Sequence, residues 1–246
     1  MIYNEKKITG ELSDFIKCCW FFDSQDEEVV NTILPDGYFD LIFKIRDTEQ
    51  INAFLTGTWT KPIDVQIEKQ TRMFAVRFRL IAAEYIFRES IESIVDTSTE
   101  LPVGYFGPLP FDNLERFEET ICQTFIRFLP ENTEIDRRKF RLFQILYEQK
   151  GNIPVNELAA QIGWSSRQIN RWFNSQFGLS LKTFANILKC HEAYRQIAKG
   201  QLHPDKSYYD QAHFIKEVKR YTGVSPKELH RNKNDRFLQL STLPKK

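Results

Sequence analysis

The first 135 residues contain no histidine; all four (His191, His203, His213, His230) lie in the second half. A metal-dependent oxygenase or isomerase on a β domain would want two or three histidines with a carboxylate, so the first half carries no such centre. The four cysteines (Cys18, Cys19, Cys122, Cys190) include no CxxC pair, and two are adjacent. Neither a disulfide framework nor a zinc knuckle follows from that spacing. They read as small buried hydrophobes of a reducing cytoplasm. The opening MIYNEKKITGELSDF lacks the apolar run of a signal peptide, and no apolar stretch approaches the ~20 residues that cross a bilayer. GxSxG, Walker and GxGxxG motifs are missing too. No catalytic residue, metal, cofactor or membrane partner is therefore expected, and the chain does not read as an enzyme.

Net charge over 246 residues is only +1, which hides an opposition between the halves. Residues 1–135 hold 13 Lys and Arg against 24 Asp and Glu; residues 136–246 hold 21 against 9. An acidic half is joined to a basic one, so a polyanion would meet only the C-terminal half.

Hydrophobic spacing changes along the chain as well. CCWFFD (18–23), FDLIFKI (39–45) and MFAVRFRL (73–80) are rich in aromatic and β-branched residues and read as strands. Asp36-Gly37 marks a turn between two such runs, AAEYIFRESI (82–91) has helical spacing, and LPVGYFGPLPFD (101–112) is an irregular connector. Leu114, Phe117, Ile121, Phe125 and Phe128 then step by three and four, the stripe of an amphipathic helix. Such a stripe either packs on its own domain or forms a coiled-coil dimer seam. Pro130 ends it, and after RRKFR (137–141) everything to about 230 reads as helices.

The most informative stretch is NIPVNELAAQIGWSSRQINRWFNSQFG (152–178). Leu158 and Ile162 form the inner face of a short helix, Gly163 supplies a left-handed turn, and Ser165 and Ser166 offer caps to the next helix. That helix buries Ile169, Trp172, Phe173 and Phe177, the spacing that lets two helices cross at a short turn. Its outward residues are Ser166, Arg167, Gln168, Asn170, Arg171 and Asn174, with no acid among the nine residues from Ser166 to Asn174. Arginine suits guanine O6 and N7, and Asn or Gln suits adenine N6 and N7. A plain solvated helix would more often mix Glu with Lys. LSLKTFANILKCHEAYRQIAKG (179–200) follows as a connecting helix, with His191 as a core or boundary residue. In YYDQAHFIKEVKRYTGVSP (208–226), Phe214, Val218 and Tyr221 face inward, while Gln211, His213, Lys216, Lys219 and Arg220 face outward; Gly223 and Pro226 stop the helix.

ELAAQIGWSSRQINRWFNSQFGLS and DQAHFIKEVKRYTGVSP together resemble the AraC (arabinose-operon regulator) family of bacterial transcription factors, over residues 137–230. The resemblance implies two helix-turn-helix units joined by a long helix, with recognition helices at 166–177 and 210–221 entering successive major-groove faces. Residues at the positions of Arg167, Asn170 and Arg171, and of Gln211, Ala212 and Lys216, tend to face the bases in that family. The chain departs from the pattern in one place. A full helix ending in Gly normally precedes the second recognition helix, but here only QLHPDKS (201–207) is available, with Pro204 inside. Seven residues around a proline make one helical turn at best, so the second unit is curtailed, and phosphate contact and packing account for much of what Lys216, Lys219 and Arg220 supply.

The same resemblance makes the N-terminal half an effector-sensing or dimerising domain, a β-rich unit of small-barrel type, with Trp20, Phe22, Tyr38, Trp59 and Arg77 as pocket candidates or simply core. The fold class expected is α+β, divided into a β-rich regulatory domain (1–111), an amphipathic linker or dimerisation helix (112–135), an all-α DNA-binding domain (136–232) and a tail (233–246). Double-stranded DNA is the expected partner, joined by a small-molecule effector, a second copy of the chain, and RNA polymerase if the protein activates. Two rival readings stay open: a basic helical face that meets an acidic protein, and an enzyme in the β domain.

Overall fold

The structure is a computed structural model, and it describes residues 1–46, 51–129, 135–203, 208–232 and Phe237. Pro130 and most of the expected tail lie outside them, as do Pro204 and Ser207.

Among the described residues eight strands build the first half. They are β1 (Ile2–Lys7), β2 (Ile16–Asp23), β3 (Val29–Ile33), β4 (Tyr38–Ile45), β5 (Ile51–Thr56), β6 (Ile63–Ile67), β7 (Arg72–Arg79) and β8 (Ser98–Leu101). Six form an antiparallel sheet in the order β1-β2-β7-β4-β5-β8, while β3 and β6 pair in a separate ribbon. The Asp36-Gly37 turn is present, but the strands on either side of it belong to different sheets. The expected small barrel is corrected, because β1 and β8 stand at opposite edges and do not pair. The sheet buries both faces without closing. On one side Cys18, Trp20, Phe22 and Ala75 pack with Ile67 of the ribbon. On the other, Phe39, Phe43, Phe74 and Phe78 join a core that includes the helices.

Among the described residues eight α-helices accompany the strands: α1 (Ile81–Tyr85), α2 (Leu114–Ile126), α3 (Arg137–Glu148), α4 (Val155–Ile162), α5 (Ser166–Phe177), α6 (Leu181–Ala198), α7 (Gln211–Thr222) and α8 (Pro226–Arg231). None among the described residues is long and apolar enough to cross a membrane. The helical spacing of 82–91 yields only α1; Arg88 then turns the chain at φ 55°, and Ser90 and Ile91 reach the helical half instead.

Helix α2 settles which use its stripe serves. Phe117, Ile121 and Phe125 are wholly buried. Phe117 lies against Phe43 and Phe74, and Phe125 against Phe78 and Phe106. Leu114 and Phe128 pack on the same core. Of the two uses the spacing allowed, packing on the chain's own domain is the one found: the apolar face of these five residues lies on the sheet. Asn113 caps the helix, its side chain accepting from the backbone N–H groups of Glu115 and Arg116.

One core runs through both halves. Phe143 of α3 meets Trp172, Phe173, Phe177 and Phe184 with ring centroids 5.6–6.1 Å apart. One turn on, Tyr147 stacks on Tyr38 of β4 at 5.4 Å. The Tyr147 hydroxyl donates to the Gly37 carbonyl (2.9 Å) and accepts from the Leu80 N–H (3.2 Å). Tyr194 of α6 donates to the Pro35 carbonyl at 3.1 Å.

Candidate nucleic-acid interface

Helix α4 ends on Gly163, whose φ of 71° is left-handed and needs no Cβ displaced. Two residues later Ser165 opens α5 with a capping box. Its hydroxyl accepts from the Gln168 N–H (3.2 Å), and the Gln168 carboxamide oxygen accepts from the Ser165 N–H (2.9 Å). This local chemistry fixes the angle at which α5 leaves the turn. Its buried stripe is Ile169, Phe173 and Phe177, with Trp172 half-buried beside it.

The opposite face presents Arg167, Arg171 and Asn174 to solvent. Among the described residues no carboxylate lies within 4.0 Å of either arginine. Ser166 and Asn170 are half-buried, and Asn170 donates its amide to the Ser166 carbonyl at 2.9 Å. Gln168 is exposed, but its oxygen is committed to the cap. Of the six candidate readers, three stand fully clear, and two have already spent part of their hydrogen-bonding capacity on α5 itself.

Helix α7 presents the second face. Asp210 caps it by accepting from the His213 N–H at 2.7 Å, and Phe214, Val218 and Tyr221 are buried behind it. Ala212, His213, Lys216, Lys219 and Arg220 are exposed. Gln211 is half-buried and turns back toward the preceding segment, donating to the Leu202 carbonyl (3.0 Å) with its oxygen 3.2 Å from His203 Nδ1. Gln211 thereby ties the start of α7 to the segment that follows α6. Sequence reasoning missed Tyr209, which is 93% exposed immediately before the cap. The YYD pair holds the signal for it: once Tyr208 packs on Phe214, its neighbour must point outward. Arg138 was also missed. Its guanidinium sits 4.9 Å over the ring of Trp164 in the α4–α5 turn.

The C-terminal end of α5 is held by the β half. Ile91 N–H donates to the Gln176 carbonyl (3.0 Å), Ser90 Oγ donates to the Ser175 carbonyl (2.9 Å), and Gln176 donates to the Glu89 carbonyl (2.7 Å). Trp172 Nε1 donates to Glu84 at 3.1 Å, and Lys139 pairs with the same carboxylate.

The expected pocket residues are placed differently. Arg77 forms a fork with Asp40, Nε to Oδ1 at 3.0 Å and Nη2 to Oδ2 at 3.3 Å, and lies 3.5 Å from Asp36. Trp20 Nε1 donates to the same Asp40 oxygen at 2.9 Å. Trp20, Phe22 and Arg77 are therefore brought together on one face of the sheet, with the polar groups of Trp20 and Arg77 already partnered. Trp59 is half-buried in the β5–β6 loop. Tyr38 borders an open cavity beside α3. No group of three His, Cys, Asp or Glu among the described residues could hold a metal ion.

His191 of α6 faces Tyr38 and Tyr194 at 6.1 and 5.9 Å. Burial pushes its pKa well below the ordinary 6.5, and the cations of Lys17, Arg195 and Arg77 push it the same way. The unfolded chain then binds the extra proton first. Stability is full above pH 6.5 and falls as the pH drops below it, by at most ~1.4 kcal/mol per pH unit for this one group. Urea denaturation at pH 7.5 and 5.5 should show that loss, and His191→Gln should reduce it.

Comparison with known proteins adds two matches. Residues 9–100 match a family described as a domain of unknown function (DUF6597), and residues 158–232 match one described as a helix-turn-helix domain. No curated protein matches. Among solved structures the chain is similar to ToxT from Vibrio cholerae. The 1.65 Å structure is 9% identical with a TM-score of 0.43, covering 92% of this chain and 97% of that one. The apo form of a single-residue ToxT variant is 9% identical with a TM-score of 0.42, covering 85% and 96%.

Proposed function

We propose that this chain, whose residues 158–232 match a helix-turn-helix domain, is a DNA-binding transcriptional regulator of AraC type, and that α5 reads bases in the major groove while α7 mainly holds phosphates. The observation that carries this reading is the solvent face of α5. It offers Arg167, Arg171 and Asn174 with no acid from Ser166 to Asn174, on a helix whose entry is fixed by Gly163 and the Ser165 cap. Arginine and asparagine are the side chains whose donors and acceptors match base edges. On α7 the exposed cations Lys216, Lys219 and Arg220 suit the backbone, and Gln211 is better explained as a brace than as a reader. Control by an effector acting on the β half completes the proposal.

Selection of bound duplexes from a random pool by the full chain, followed by titration of the winner against salt, tests it. An enriched motif whose binding weakens steeply with salt supports it. Binding without any enrichment sinks the base-reading role. Within that motif, Arg171→Ala should cost about 1–3 kcal/mol and relax one base position, whereas Lys219→Ala should weaken all sequences alike. If Arg171→Ala binds specific and random DNA as the parent does, α5 is not the reader.

A further inference from the structure

A cavity of about 310 Å³ opens between the two halves, where the ends of β4 and β7 meet α3. That volume sits at the lower end of small-ligand pockets, which run from ~300 to 1,000 Å³. Its walls are aromatic, from Tyr38, Phe140 and Tyr147, and they hold one cation, Arg79.

Arg79 is the feature that asks for an occupant. Its guanidinium lies 4.8 Å over the Tyr147 ring. Its Nε is buried with no hydrogen-bond partner, and no carboxylate among the described residues comes within 4.0 Å of it. Arg77, two residues earlier on the same strand, is by contrast paired with Asp40. The Tyr147 hydroxyl is already engaged with Gly37 and Leu80. The Arg79 Nε is closed off, so an occupant meets the Nη groups, and an N–H of these makes a charge-assisted bond to a carboxylate oxygen.

The mouth has the opposite charge. Asp14 and Glu148 both line the cavity, and both are exposed. Two carboxylates at an entrance repel a simple anion and attract an ammonium group. An inner cation, an outer pair of acids and aromatic walls between them describe a molecule carrying both charges on a small apolar body.

We propose that this cavity is a binding site for a small zwitterionic carboxylate, of the class of free amino acids with apolar or aromatic side chains, anchored by Arg79. The carboxylate pairs with the Arg79 Nη groups, the ammonium faces Asp14 and Glu148, and the side chain lies on Phe140 and Tyr147. An occupant touches β7 of the acidic half and α3 of the basic half together. The site stands apart from the DNA-binding reading, since it can be filled and measured without DNA.

Calorimetric titration of the full chain with L-phenylalanine, L-leucine, phenylacetate and 2-phenylethylamine tests it. The expected result is saturable binding of at least one of the amino acids, with phenylacetate and 2-phenylethylamine weaker by about 10- to 100-fold, the loss of one charge-assisted contact. Arg79→Gln should lose the amino acid to the same degree. Glu148→Gln, exposed on α3 and leaving the fold unchanged, should narrow the gap between phenylalanine and phenylacetate. Failure of both amino acids to bind the parent chain overturns the proposal. So does equal binding by parent and a folded Arg79→Gln, or phenylacetate binding as tightly as phenylalanine. If Arg79→Gln does not fold, the Glu148→Gln comparison decides alone.

Discussion

Truncating Phe143 to alanine is expected to destabilise the protein by about 3–5 kcal/mol, the cost of deleting a buried aromatic and leaving a cavity, and to weaken both halves together. Phe143 is 2% exposed. Its ring meets Trp172, Phe173 and Phe177 of α5 and Phe184 of α6, and it precedes by one turn the Tyr147 that stacks on Tyr38 of the sheet. Urea denaturation followed by far-ultraviolet and near-ultraviolet circular dichroism is the check. Coincident transitions, shifted together in the variant, are expected of one shared core. Two separated transitions, of which only the helical one moves, would show that the halves unfold independently.

Asp40→Ala is expected to be as damaging for an electrostatic reason. Asp40 holds the buried Arg77 guanidinium through two contacts and the Trp20 indole through a third. Burial opposes the charge of Arg77, yet Asp40 and Asp36 keep it protonated well above the usual arginine range. Without Asp40 the cation retains only Asp36, at 3.5 Å. Breaking one side of a buried pair costs about 3–5 kcal/mol, whereas replacing both sides with apolar residues is often neutral. The double variant Asp40→Ala with Arg77→Met should therefore recover most of what Asp40→Ala loses in midpoint urea concentration. A double variant no more stable than the single one would mean that the pair is not the source of the loss.

What the sequence disclosed divides along a physical line. The helix-turn-helix was legible because its determinants are local: Gly163 in the turn, Ser165 at the cap, and an apolar stripe at helical spacing that α5 buries as read. The three long strands were legible for the same reason. The pairing of β3 with β6 rather than β4 was not, since pairing depends on partners distant in sequence, and β1 (IYNEKK) and β8 (STEL) are too polar to announce themselves. The α2 stripe showed that one face must be buried; periodicity does not say by what. Gln168 and Gln211 read as base contacts from their chemistry, and only three-dimensional neighbours reveal that a cap claims one and the Leu202 carbonyl the other. Arg77 and Arg79 look equivalent on an alternating strand, yet one is fully paired and the other is not.

The glycines that end α5 and α7 both face the acidic half. A Cβ at Gly178 would come within 2.7 Å of Val95, and one at Gly223 would lie 3.7 Å from Pro62. The interval between the two candidate reading helices is thus gauged twice, once along α6 and once across the β half. On the proposed reading, in which α5 and α7 both meet DNA, residues as remote from the basic surface as Val95 and Pro62 help to hold the interval between the two helices.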